Sequence, residues 1–253
     1  MDATPRSFAA IGDSFAEGIG DELPDGSVRG WADLVALGLA RAADPETVTY
    51  ANLAVRGRLL RPILDDQLEA AIALRPALLS VSGGNNDIIR PRVAIPDLTS
   101  RLFAAMDRAA ASGAHVMFVT VANMTKHLPL GRVIEARGNR FADAIRAFGE
   151  RPDVTVVDNW GDPELFDQRY WAVDSLHLNT AGHLRVAQNV LRALHVDVSL
   201  PALKAAEIVR PSVPEYWRDY VLPWVGRRLT RRSSGDGRAA KRAKLEPVLL
   251  SEQ

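Results

Sequence analysis

Cysteine is absent from the 253-residue chain. That excludes disulfide frameworks, thiolate metal sites and cysteine nucleophiles together, and it fits a reducing compartment. No run reaches 18 apolar residues, so no segment is long enough to span a bilayer as a helix. The N-terminal MDATPRSFAAIGDS lacks the long apolar stretch of a secretory leader, and the expected location is cytoplasmic. Charge of one sign is not in excess either. Lys and Arg number 31 against 31 Asp and Glu, so no global field points to nucleic acid or to an acidic substrate, and no nucleic-acid partner is expected. What is present is ordinary material for a core, with 47% hydrophobic and 25% charged residues.

The order of apolar runs reads as strand, then helix, repeated. Phe8 to Ile11, Val48 to Val55, Ala77 to Val81, Val116 to Val121 and Val154 to Val157 are short, continuously apolar and closed by turn residues, as buried strands are. Helical periodicity occupies about 30–41, 60–74, 97–111, 133–148 and 180–194, with Asp97 the expected N-cap of the third. Five such strands between helices predict an α/β fold. It is a three-layer α/β/α sandwich on a five-stranded parallel sheet, flavodoxin-like in architecture, with right-handed crossovers. Residues 1–200 make that domain and 201–253 a C-terminal extension. The extension opens with an aromatic helical segment holding Tyr216, Trp217, Tyr220 and Trp224. A basic tail follows, with Arg227, Arg228, Arg231, Arg232, Arg238, Lys241, Arg242 and Lys244 against Asp236. Its Ser-Ser-Gly-Asp-Gly stretch reads as flexible, and the aromatic segment is the one candidate for weak association with a membrane surface.

In such folds sites gather at the carboxyl ends of the strands. Those ends carry Gly12-Asp13-Ser14, Arg56-Gly57, Gly84-Asn85-Asn86-Asp87 and Asp174-Ser-Leu-His177. Together they supply the parts of acyl transfer. A serine hydroxyl becomes a nucleophile when a histidine takes its proton, and the histidine needs an acceptor at its other nitrogen. Ser14, His177 and Asp174 meet those needs, the three-residue spacing letting Asp174 fold back onto the imidazole. The Asn86 amide and the backbone N–H groups of Ser14 and Gly57 are the candidate oxyanion donors, and glycine at 57 lets the backbone approach a substrate without a Cβ. Asp13 and Asp87 read as loop anchors, His183, His115 and His195 as framework residues, and His127 as a candidate lining residue.

The four blocks, in this order, resemble the SGNH hydrolases, also called the GDSL esterase/lipase family. Gly12-Asp13-Ser14 matches the first block, Gly57 the second, Gly84-Asn85-Asn86-Asp87 the third and Asp174-x-x-His177 the fourth, over roughly residues 7 to 195. The resemblance implies an esterase or acylhydrolase acting on a small-molecule ester, with neither metal nor organic cofactor. The Gly-x-Ser-x-Gly elbow of the α/β-hydrolases is absent. The loops Phe15 to Arg29, Asp87 to Pro96 and Ala122 to Arg132 are the expected pocket walls. Glu17, Asp21, Arg90, Arg92, Lys126 and Arg132 among them keep a carbohydrate O-acetyl ester open as substrate. A non-catalytic flavodoxin-like binding module is the alternative of another class. Asp13 and Glu17 place negative charge where its phosphate would sit.

Overall fold

The fold is that of a computed structural model, which describes residues 4–128, 131–151, 153–203, 208, 210–223, 226, 230 and 233–250. Trp224, Arg227, Arg228, Arg231 and Arg232 of the extension lie outside the described residues.

Five strands form as the apolar runs predict: β1 Ser7–Ile11, β2 Thr49–Asn52, β3 Leu78–Val81, β4 His115–Val119 and β5 Val154–Val157. All are mutually parallel, and the sheet order is β5-β4-β3-β1-β2-β6. The sixth strand, β6 Arg242–Pro247, comes from the extension and pairs antiparallel with β2. The expected five-stranded sheet is therefore six-stranded, and the tail over 242–247 is ordered as an edge strand. Its sequence RAKLEP hides this, because an edge strand carries charge where a central one cannot.

Short helix α1 Ser14–Glu17 follows β1 directly, then α2 Trp31–Ala43. After β2 come α3 Leu60–Pro62, a π-helical turn Ile63–Gln67 and α4 Leu68–Ala73. After β3 come α5 Asn85–Ile88 and α6 Ile95–Ala110, after β4 α7 Gly131–Phe148, and after β5 α8 Thr180–Ala193. Helix α6 starts two residues before the expected cap. Ala94 occupies the N-cap and Pro96 lies in the first turn, where its missing N–H costs nothing. Helices α2 and α8 pack together on one face, while α4, α6 and α7 cover the other. The extension adds α9 Val213–Tyr216 and a π-helical turn Trp217–Val221. Among the described residues no helix is long and apolar enough to cross a membrane.

The core lies between the layers. Phe8, Ile11, Leu34, Leu78 and Phe118 are fully buried, and Phe118 meets the Phe141 ring edge-on at 6.3 Å. Phe118→Ala is expected to destabilise the fold by about 3–5 kcal/mol, seen as a lower urea midpoint at unchanged slope.

The chain runs from β1 to β2 on one side and then crosses to β3 on the other. Strands β1 and β3 thus flank the switch point of the sheet, and a crevice opens beyond their carboxyl ends.

Candidate active site

Ser14 stands at the first position of α1, immediately after the turn that closes β1. Asp13 caps this helix, accepting the Phe15 N–H at 3.0 Å. The Ser14 N–H is among those a helix's first turn leaves without an internal acceptor, so it is available to a ligand. The turn itself is held from afar by Gln67. Its amide accepts the Gly12 N–H at 2.8 Å and donates to the Gly12 carbonyl at 3.0 Å. Gln67 belongs to the π-helical turn, a feature frequent at functional sites.

Asp174 and His177 meet Ser14 from the loop between β5 and α8. Ser14 Oγ lies 3.1 Å from His177 Nε2, and His177 Nδ1 lies 2.6 Å from Asp174 Oδ2. The other carboxylate oxygen, Oδ1, accepts the N–H groups of Leu176 at 2.9 Å and His177 at 3.0 Å. This three-residue turn requires Ser175 between them to adopt φ +55°, which is unfavourable for a residue with a Cβ.

Electrostatics at the site follow from burial and pairing. Burial alone would lower the His177 pKa. The hydrogen bond and charge of Asp174, with the charges of Asp13 and Glu22, more than reverse this and raise it. Burial would raise Asp174, but its bonds from His177 and the loop backbone hold it below the usual carboxylate value. Asp13 and Asp87 have no cationic partner of comparable strength, and burial pushes each to about 6. Burial drives His183 down to about 4, so it is neutral, with Nδ1 accepting the Trp31 N–H and Nε2 donating to the Ile19 carbonyl. It frames the loop behind Ser14.

Asn86 reaches the same crevice from α5. Its Nδ2 donates to the Arg58 carbonyl at 3.0 Å, and the second hydrogen makes only a long 3.3 Å contact with Asp13 Oδ2. Asp87 holds the facing loop by accepting the Leu60 N–H at 2.8 Å. Gly57, at φ +73°, is near but not in the crevice wall. The reason for glycine there differs from the sequence expectation. A Cβ would lie 2.3 Å from Ser233 Oγ and 2.8 Å from Ser234 Oγ, so the extension, not a substrate, takes the space.

A cavity of about 50 Å³ adjoins Ser14, His177 and Asn86, walled by Phe15, Ile19, Ile89, Val121, Met124, Trp171 and Leu176. The expected loops supply Phe15, Ile19, Ile89 and Met124, while Val121 comes from just past the end of β4 and Trp171 and Leu176 from the loop that carries Asp174 and His177. Glu17 is paired with Arg56, Asp21 with Arg29 and Lys126 with Glu135. Arg90, Arg92 and Arg132 of the same loops remain exposed. His127 stands behind the wall, its ring 5.2 Å from that of Trp171. The clamp by Gln67 and the pairing of Glu17 with Arg56 are not legible in the sequence, because the partners are 55 and 39 positions away.

The profile of the GDSL-like lipase/acylhydrolase family matches residues 10–185. None of the curated proteins matches the chain by sequence. Among solved structures, TesA is 25% identical with a TM-score of 0.58, covering 74% of this chain and 97% of its own. The acetylxylan esterase Axe2 from Geobacillus stearothermophilus is 17% identical with a TM-score of 0.61, covering 78% and 97%. A lipase/acylhydrolase from Enterococcus faecalis is 16% identical with a TM-score of 0.59, covering 78% and 100%. At that identity the last two show a shared fold alone.

Proposed function

The chain belongs to the GDSL-like lipase/acylhydrolase family and is a carboxylic ester hydrolase, and from that premise we propose that it cleaves short-chain esters through an acyl-enzyme on Ser14. The observation that carries this reading is the continuous hydrogen-bonded line Ser14–His177–Asp174 at the mouth of a small apolar cavity. His177 Nε2 accepts the Ser14 proton as Oγ attacks the ester carbon, and Asp174 stabilises the imidazolium that forms. The negative oxygen of the tetrahedral intermediate takes its hydrogen bonds from the Ser14 N–H and the Asn86 amide, the two expected donors that line the crevice. Collapse of the intermediate passes the proton from His177 to the leaving alcohol. Water then attacks the acyl-enzyme with His177 again as base, and the acid and free Ser14 are released. The second Asn86 hydrogen, held only loosely by Asp13, is the one a developing oxyanion competes for. The Asn86→Ala variant is accordingly expected to lose about 10²–10³-fold in kcat with KM little changed, measured by steady-state kinetics.

Cavity size supports a short acyl chain. Some 50 Å³ holds only a few waters' worth of volume, and Trp171 and Met124 are among its walls. The test is a series of p-nitrophenyl acetate, butyrate and octanoate. The expected profile favours acetate and butyrate, with octanoate at least tenfold lower in kcat/KM. A profile rising toward octanoate would contradict the acyl-size reading.

A further inference from the structure

The extension grips the loops of the proposed site at several points, although it lies beyond residue 185, where the family match ends. Arg210 spreads its guanidinium over the loop that carries Asp174 and His177. Nη1 donates to the carbonyl of Ala172 at 2.5 Å and to Ser175 Oγ at 3.3 Å, and Nη2 to the carbonyls of Gln168 and Trp171, both at 2.8 Å. Tyr216 Oη donates to the Asp174 carbonyl at 2.9 Å. Farther along, Ser233 Oγ donates to the Gly57 carbonyl at 3.1 Å, and Gly235 packs so closely on Arg56 that a Cβ there would lie 2.1 Å from its carbonyl oxygen. Lys241 then ties the carbonyls of Glu17, Val28 and Arg29 to the Asp33 carboxylate, and β6 joins the sheet at β2.

We propose that the extension is a strap that positions the acid–base loop, with Arg210 and Tyr216 as positioning residues for Asp174 and His177. The loop needs such support. Ser175 is held at an unfavourable positive φ, and Arg210 binds both that residue's hydroxyl and the Ala172 carbonyl that accepts the Ser175 N–H at 3.0 Å. A planar guanidinium satisfies several acceptors in a fixed fork, which a flexible ammonium cannot reproduce. Tyr216 fixes the residue whose side chain meets His177. Neither residue lines the cavity or touches Ser14, so both act through the loop.

The proposal rests on Ser14, His177 and Asp174 being the catalytic residues, and the test separates the two claims. Full-length Arg210→Met, Tyr216→Phe and Ser14→Ala are assayed with p-nitrophenyl acetate over a range of pH, with melting temperatures measured in parallel. In Arg210→Met and Tyr216→Phe, kcat is expected to fall about tenfold to a hundredfold with KM within twofold of wild type. In Tyr216→Phe, which changes no charge, the acid limb of kcat/KM is expected to move to lower pH, because an Asp174 drawn away from Nδ1 raises the His177 pKa less. A merely structural contribution would lower activity in step with the folded fraction and leave the limb in place. If Ser14→Ala is inactive while Tyr216→Phe and Arg210→Met keep the wild-type kcat and Tyr216→Phe the wild-type limb, the strap is overturned alone. If Ser14→Ala keeps the wild-type rate, the nucleophile assignment falls and the strap with it. Should Arg210→Met not fold, Tyr216→Phe, which loses one hydroxyl, decides.

Discussion

Ser14→Ala is expected to lower kcat on p-nitrophenyl acetate by about five to six orders of magnitude, with the melting temperature within a few degrees of wild type. The size follows from the geometry. Ser14 Oγ is the one hydroxyl in hydrogen-bond reach of His177 Nε2 among the described residues, at 3.1 Å. Removing it leaves an imidazole with nothing to activate but water, and no covalent intermediate to divide the reaction. The oxyanion donors survive, so a small residual rate over the uncatalysed reaction remains. Stability barely changes, because Ser14 is half-buried and helix α1 is capped by Asp13, not by the serine. Steady-state kinetics beside a melting curve checks both halves.

The second large effect is expected at Asp174→Asn, about 10⁴-fold in kcat. An asparagine keeps an oxygen for the Leu176 and His177 N–H groups, so the turn survives. The amide nitrogen then faces His177 Nδ1 and donates to it. That leaves the proton on Nε2, the atom that must accept one from Ser14. The pH profile carries the same information. Catalysis needs neutral His177, so wild-type kcat/KM rises with pH through a value above the ordinary imidazole figure of about 6.5, since Asp174 raises the pKa against burial. In Asp174→Asn the raising partner is gone and burial remains. The acid limb is therefore expected to shift below the wild-type position, and a limb that stayed put would detach Asp174 from His177.

The sequence was informative wherever the chemistry is local. Asp174 and His177 share one turn, Asp13 anchors the loop after β1 through the Phe15 N–H, and the five parallel strands are short apolar runs closed by turn residues. Contacts made across the chain were silent. Nothing around Gln67 marks it as the clamp on Gly12, because its partner lies 55 positions away and the π-helical turn that carries it is not readable from the local pattern. Strand β6 was hidden by charge, since Arg242, Lys244 and Glu246 sit on an exposed sheet edge where composition reads as a solvated tail. Gly57 was recognised by its block but explained by the wrong neighbour. The side a Cβ would occupy belongs to Ser233 and Ser234, some 176 residues later for the bond to Ser233. The pocket loops are legible in part: they bring Ile19, Ile89 and Met124 to the cavity and hold Glu17, Asp21 and Lys126 in ion pairs, whereas Trp171 and Leu176 come from the loop that carries His177.

The central claim is that Ser14 forms the covalent intermediate. It is tested most directly by treating the protein with diisopropyl fluorophosphate, measuring the intact mass and mapping the modified peptide. The account predicts one adduct per chain, on Ser14, formed with loss of esterase activity and absent from Ser14→Ala and greatly slowed in Asp174→Asn. Complete inactivation with the adduct on another residue, or full activity retained with Ser14 modified, would contradict it.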